Sequence, residues 1–302
     1  MKYLKRIDLH THSAYSSDGE FKPASLVRLA GDAGLAAIAL TDHNTMEGIP
    51  EAIEAGKKYG VEIVPGVEID SQYGDYSSIH LLGYYLDPTA KKLLDFLQGM
   101  RDRYYQQAKK RVRRLQELGF EITYEEVLEF APDIPVGVIL AEVLLTNGKN
   151  NYHPALRPYL PGGERSGQPY FNFYLDFFTR GKIAYIPCEY PRSDEVIDLI
   201  TTLGGIPVLA HPGSAFAAGN SKDIRAIKEL IGAGLAGIEA YSTYHGPEEM
   251  EEFAQLAQKY NLLVTAGSDF HGKLKPKIAV GDVPNNNYQL LRKLKETAGS
   301  RS

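Results

Sequence analysis

Short apolar runs alternate with segments of helical period over the first part of the chain. Ile7–Leu9, Ala36–Leu40 and Val61–Val67 read as buried strands, with a fourth at Ile79–Tyr85. Between them, Pro23–Ala33 and Ile49–Tyr59 carry helix signals, the second stopped by Gly60. Strand-then-helix order predicts an α/β fold of parallel strands joined by helices. The rhythm breaks at Asp87. Leu93, Leu97, Met100, Tyr104, Ala108, Val112, Leu115 and Leu118 recur every three or four residues, as in one long amphipathic helix. Shorter helices are predicted at Tyr124–Phe130, Gly137–Thr146 and Tyr170–Thr179, around a loop rich in Gly, Pro and Asn at Asn147–Pro169. Residues 87–181 thus read as a mostly helical insertion, a cap, between barrel segments 1–86 and 182–302. The α/β order then resumes. Strands are predicted at Ile206–Ala210, Gly237–Ala240 and Leu262–Ala266, and helices at Ser193–Leu203 (Ser193 as N-cap), Ile224–Ala233, Pro247–Tyr260 and Gln289–Thr297.

Composition narrows the setting. Of 302 residues, 43% are hydrophobic, enough for a large core, and no apolar stretch is long enough to span a membrane. The basic N-terminal residues lead into no apolar run of signal-peptide length, and Cys188 is the single cysteine. These features point to a reduced, cytoplasmic setting. A net charge of −5 does not suit a protein that binds nucleic acid over its whole surface. The local run Arg101, Arg103, Lys109, Lys110, Arg111, Arg113 and Arg114 reads first as a solvated helix face, and second as a track for an anionic substrate such as short RNA.

The placement of histidines and carboxylates carries the chemistry. Strand one ends in His10-Thr11-His12, with Asp18 shortly after; strand two ends in Asp42-His43 and strand three in Glu68. Strand four holds His80, the strand after the insertion ends in His211, and the last runs into Asp269-Phe270-His271. In a parallel barrel the C-terminal strand ends converge on one face, so six strands would deliver ligands to one place. Residues two apart in an extended segment face the same side, which lets His10 and His12, or Asp269 and His271, aim at one centre. Imidazole with carboxylate and no cysteine suits Mn, Fe or Zn in an open site. With Asp42 set aside as a cap of the next helix, nine candidate ligands exceed one ion and imply two or three, with a carboxylate bridging.

These residues lie in the motifs D-L-H-T-H-S, S-S-D-G, L-T-D-H-N-T, G-V-E-I, H-L-L-G-Y, A-H-P-G and G-S-D-F-H-G. Together they resemble the PHP (polymerase and histidinol phosphatase) phosphoesterase superfamily. The resemblance implies a distorted (β/α)7 barrel holding three metals, with His10, His12, Asp18, His43, Glu68, His80, His211, Asp269 and His271 as ligands. It makes Glu68 the bridging carboxylate and Asp42 a partner orienting a ligand. Within the superfamily the chain is similar to stand-alone members with a helical cap: nucleoside 3′,5′-bisphosphate phosphatases, 5′-3′ exoribonucleases and hydrolases of cyclic sugar phosphates. Ile238-Glu239-Ala240-Tyr241 followed by His245 also fits that branch. Nucleotide-active relatives often place an arginine where Ser214 stands here.

The expected chemistry is hydrolysis of phosphate mono- or diesters of a small nucleotide or sugar phosphate by a metal-activated hydroxide. His245 is the candidate for protonating the leaving oxygen or holding the phosphate, and Arg192 and Arg165 for gripping phosphate, with Ser214 also at the substrate. An exoribonuclease acting on short RNA, a non-catalytic metal-binding module and a metal-dependent amidohydrolase are the competing readings. His153 reads as structural, and Tyr170, Phe171 and Phe173 as cap core rather than a base-stacking platform.

Overall fold

The structure, a computed structural model, describes residues 5–16, 18–130, 136–216 and 223–300, with backbone alone at 77 and 78. Ser17 of the S-S-D-G motif lies outside them. Two compact units form, Met1–Leu97 with Tyr190–Ser302, and Gln98–Glu189. The second unit begins and ends later than the 87–181 read from the pattern. The reason is visible at its start: Leu93 and Leu97, on the first turns of the helix Lys91–Glu117 (α3), are buried in the core of the first unit.

The first unit is a distorted barrel of seven strands in sequential order. They are β1 (Arg6–Thr11), β2 (Leu35–Leu40), β3 (Glu62–Tyr73), β4 (Tyr76–Tyr84), β5 (Ile206–Leu209), β6 (Gly237–Ser242) and β7 (Leu263–Gly267). Helices α1 (Pro23–Asp32) and α2 (Ile49–Tyr59) make the first crossovers. Helices α7 (Ser193–Thr202), α8 (Pro212–Ala215), α9 (Ile224–Gly232), α10 (Pro247–Lys259) and α11 (Tyr288–Gly299) belong to the same unit.

One expectation fails. The strands are not all parallel, because β4 runs antiparallel to both β3 and β5. Only Gly74 and Asp75 separate β3 from β4, far too few residues for a parallel crossover, so the chain turns back as a hairpin. His80 consequently enters the site from the middle of its strand rather than from its C-terminal end.

Alternation along the strands separates two cores. Ile38, Leu40, Val67, Ile69, Ile79, Leu81, Ile238 and Ala240 pack on the helices. The opposite face carries Ile7, Leu9, Ala37, Ala39, Val64, Leu82, Tyr84, Val208 and Ala210, joined by Leu291 and Leu294 of α11. The seam between β1 and β7 is closed mainly by backbone bonds, from Asp269 N–H to His10 O (2.9 Å) and from His12 N–H to Phe270 O (3.0 Å). Asp8 adds a clasp there, accepting Ser268 N–H at 2.9 Å together with the Ser268 hydroxyl and Gly281 N–H.

The second unit has its own core. Helices α4 (Tyr124–Phe130), α5 (Gly137–Thr146) and α6 (Pro169–Phe177), with α3, bury Val112, Leu115, Phe120, Leu140, Leu144 and Phe173. Phe173 stacks on Phe177 with centroids 4.0 Å apart, and His153 stacks on Phe120 at 3.9 Å. At least three of the seven residues of the basic run are used inside this unit. Arg103 bonds Glu189 O, Arg114 bonds Ile183 O and pairs with Glu117, and Arg111 is buried over the Phe178 ring.

Candidate metal centre

Strand alternation explains how most of the candidate ligands reach one place, and departures from it explain the rest. Glu68 lies between Val67 and Ile69 on β3, and His80 between Ile79 and Leu81 on β4. Their flanking residues pack on the helices, so the ligands face the other way. In β1 the register gains one residue between Asp8 (opposite Ile38) and Thr11 (opposite Leu40). That bulge shifts the phase of every following side chain and turns His10 and His12 to the face that Leu9 occupied. His211 follows the inward Ala210 and would face outward in a regular strand. It adopts φ +23°, and Asp269 φ +53°, backbone conformations that L-residues rarely hold. Each costs about 1–3 kcal/mol and persists only where surrounding structure enforces it.

All nine ligand candidates converge. Three groups of donor atoms lie within 4.8 Å of one another: His12, Asp18, His43 and His271; His10, His12, Glu68 and Asp269; and His43, Glu68 and His80. His211 joins through Nε2, 3.1 Å from Glu68 Oε1. Glu68 is shared, with Oε2 3.1 Å from both His10 and His12, and Oε1 3.0 Å from His80 Nδ1.

The charges are unusual for a site so thoroughly buried. Burial opposes ionisation of Glu68, yet His10, His43 and His80 hold its carboxyl well below the usual range. Burial likewise works against a charged His10, but Glu68, Glu239 and Asp269 raise its pKa well above the ordinary value; His80 rises too, against its own burial, through Glu68 and Asp70. Asp269 and Asp18 are depressed in spite of burial, Asp269 chiefly by Lys275 and Asp18 chiefly by His271. Asp18 Oδ1, His43 Nδ1 and Asp269 Oδ1 are buried without a hydrogen-bond partner. Orphaned acceptors of this kind are costly, and a bound cation satisfies them. The donor set of imidazole nitrogen and carboxylate oxygen fits Mn, Fe or Zn.

Around the cluster stand residues that the sequence pattern did not single out. Glu239, fully buried on β6, lies with Oε1 3.0 Å from His10 Nδ1, and its Oε2 accepts His211 N–H at 2.8 Å. Asp70 Oδ1 lies 3.0 Å from His80 Nε2. Lys275 pairs with Asp269. A carboxylate inside a strand as apolar as Gly237–Ala240 was the available signal for Glu239, since charged side chains are buried only when partnered. At Gly267 a Cβ would sit 2.2 Å from His10 Cβ and 2.3 Å from Glu239 Oε1, so this position tolerates no side chain.

Other expected site residues are engaged differently. Asp42 turns its carboxylate onto Ser13, accepting the backbone N–H (2.6 Å) and the hydroxyl (2.7 Å); it fixes the turn after His12 instead of touching a ligand side chain. Ser214 Oγ lies 2.9 Å from His211 Nδ1, which steers His211 Nε2 toward Glu68. His245 is held at both nitrogens, with Nδ1 3.0 Å from Ala240 O and Nε2 accepting Gly213 N–H at 2.9 Å. That leaves its imidazole no nitrogen for a leaving oxygen. Its ring also fills the space a Cβ at Gly213 would take, 2.6 Å away. Arg192 rather than Ser193 is the N-cap of α7; its guanidinium pairs with Asp194, while the Ser193 hydroxyl bonds Gln72 O at 3.1 Å. Arg165, in the second unit, makes a two-pronged pair with Asp176 at 3.0 Å.

Known proteins bear on this arrangement. The PHP domain model matches residues 8–181. The chain belongs to the PHP domain family. It is 28% identical to the phosphoribosyl 1,2-cyclic phosphate 1,2-diphosphodiesterase of Eggerthella lenta, over 94% of this chain and 98% of that one. It is also 28% identical to the 3′,5′-nucleoside bisphosphate phosphatase of Chromobacterium violaceum (89% and 88% covered) and 30% identical to the 5′-3′ exoribonuclease of Haemophilus influenzae (88% and 90%). A crystal structure from Bifidobacterium adolescentis, assigned as a metal-dependent phosphoesterase, superposes with TM-score 0.82 at 28% identity, covering 97% of this chain and 96% of that one. This PHP protein is thus a metal-dependent phosphoesterase with a barrel fold. No helix among the described residues is long and apolar enough to cross a membrane.

Proposed function

We propose that this phosphoesterase hydrolyses the phosphate ester of a small nucleotide or sugar phosphate at the nine-residue cluster. The observation that carries the reading is Glu68, a buried carboxylate within 3.1 Å of His10, His12, His80 and His211. One carboxylate so placed can link ions that sit in neighbouring groups of ligands. His10, His12, Glu68 and Asp269 would hold one ion, Asp18, His43 and His271 a second, and Glu68, His80 and His211 a third. Bound there, divalent ions neutralise phosphate charge, lower the pKa of water and align nucleophile with phosphorus.

The chain's own residues set this geometry. Glu239, Asp70 and Ser214 fix which imidazole nitrogen each histidine presents, as partners of metal-ligating histidines do. Asp42 and His245 brace the turns that carry His12 and His211. Arg103, Arg111 and Arg114 are engaged within their own unit, which favours a small substrate over a strand tracked along the basic helix. The test is a phosphate-release screen with added Mn and Zn, over nucleoside bisphosphates, cyclic phosphates, sugar phosphates and short RNAs. Turnover of a small phosphate ester that changes little with salt is expected. A steep fall between low and moderate salt would instead indicate several gripped phosphates and a polynucleotide substrate, and silence across the panel would overturn the reading.

A further inference from the structure

The side chains expected to meet a substrate are committed elsewhere: Ser214 to His211, His245 to backbone, Arg192 to Asp194 and Arg165 to Asp176. A different pair stands directly at the cluster. Lys275, in the loop after β7, ion-pairs with Asp269 Oδ2 and reaches Asp269 O at 3.3 Å. This leaves Asp269 Oδ1 facing His12 at 3.0 Å and His10 at 3.3 Å. The Lys275 ammonium lies 4.8 Å from the centre of the Tyr244 ring, and that ring is 5.1 Å from His211. Tyr244 therefore stands between His211, which follows β5, and Lys275, the partner of Asp269 after β7. It is 43% exposed in a site whose ligands are mostly buried, so one side of it borders the cluster and the other borders solvent.

We propose that Tyr244 and Lys275 form the phosphate-positioning pair of this enzyme, donating hydrogen bonds to the oxygens of a phosphoryl group seated at the cluster. The inference rests on the phosphoester reading of the same site. An ammonium is a compact charge with three donors, and a phosphate oxygen beside a poorly solvated one is held strongly. The Tyr244 hydroxyl serves as a donor, since a phenol carries its proton at neutral pH. Cations bound at Asp269 Oδ1 would share the charge that Lys275, with His271 and His10, balances in the protein by itself, leaving ammonium hydrogens for a second anion. The pair thus supplies the cationic contact that Ser214 does not.

The test uses the metal-loaded protein with inorganic phosphate as the probe, read by calorimetry, with metal content measured separately and kcat and KM determined on whichever ester the screen identifies. Tyr244→Phe removes one hydroxyl from a partly exposed ring. It is expected to keep its metals, weaken phosphate binding about tenfold, and raise KM more than it lowers kcat. Lys275→Gln is expected to weaken phosphate binding further, and Lys275→Arg, which keeps the charge, to restore most of it. Phosphate binding by metal-replete Tyr244→Phe within twofold of the parent protein would overturn the proposal. So would loss of metal from Tyr244→Phe in step with loss of phosphate, which would place its effect on the ligands. Should Lys275→Gln fail to fold, Tyr244→Phe decides alone. The two readings separate cleanly. A parent protein that binds phosphate but hydrolyses no ester defeats the phosphoester reading, whereas an active parent whose variants bind phosphate normally defeats only this one.

Discussion

Glu239→Gln probes the site at a residue that should touch neither ion nor substrate. The carboxylate serves two donors at once, His10 Nδ1–H at 3.0 Å through one oxygen and His211 N–H at 2.8 Å through the other. Glutamine has nearly the same shape but only one acceptor oxygen, so it can serve one of them. If the amide oxygen takes His211, the NH2 group faces His10 Nδ1 and drives the proton to Nε2, the nitrogen that points at Glu68. If it takes His10, the NH2 group confronts the His211 N–H and loosens the strained turn that aims His211. Either way one ligand loses its orientation, which typically costs 10- to 100-fold in metal affinity, or about 1.4–2.8 kcal/mol. Competition with a coloured chelator would measure this on metal-free protein, with thermal unfolding of the same sample confirming that the barrel is intact. Metal affinity and kcat both within twofold of the parent would refute the argument.

Three further expectations follow from the same charges and contacts. Asp269→Ala and His43→Ala should each cut phosphate release by at least about two orders of magnitude while leaving the circular dichroism spectrum unchanged; unchanged activity in folded protein would remove catalysis from this cluster. Chelation should abolish activity reversibly and lower the thermal midpoint, because an ion at about 100 times its Kd adds roughly 2.7 kcal/mol of stability. The third concerns pH. His10 and His80 have raised pKa values in the metal-free fold, so their stabilisation is complete below about 6.5 and is lost as pH climbs through the raised values. Glu68, Asp18 and Asp269 are depressed, so their contribution is present above the usual carboxylate range and disappears only in strong acid. Metal-free protein should therefore lose stability between pH 6.5 and alkaline pH, while metal binding tightens with rising pH and releases protons. Calorimetry in two buffers of different ionisation enthalpy reads the proton count directly; no release at pH 6.5 would contradict the assignment.

Most of the barrel was legible because hydrophobic period and ligand spacing depend on local sequence. Strand ends near His12, His43 and His211 followed from apolar runs that stop at polar residues. The direction of β4 did not follow, because a buried strand reads alike in parallel and antiparallel sheets. Gly74-Asp75 between two strand-like runs is a hairpin signal, hidden because the apolar run of β3 stops near Val67 while the strand continues to Tyr73. Side-chain roles were the least legible. Ser214, Arg192 and His245 occupy plausible positions for substrate contact, but partners brought by the fold, among them Asp194 and the Gly213 N–H, decide what each can do. Lys275 gave no hint at all, since a lysine in a loop ordinarily reads as surface.

The seam between the first and last strands has a mechanical consequence. Asp8 and Ser268 stand 260 positions apart, and the cluster straddles the same joint, with His10 and His12 on one side and Asp269 and His271 on the other. Ions held across it would act as a staple closing a loop of nearly the whole chain, the situation in which a cross-link removes the most freedom from the unfolded ensemble. Metal supply would then govern how readily the barrel opens along this one edge. Hydrogen exchange in β1 and β7 should register its removal before the opposite wall of the barrel does.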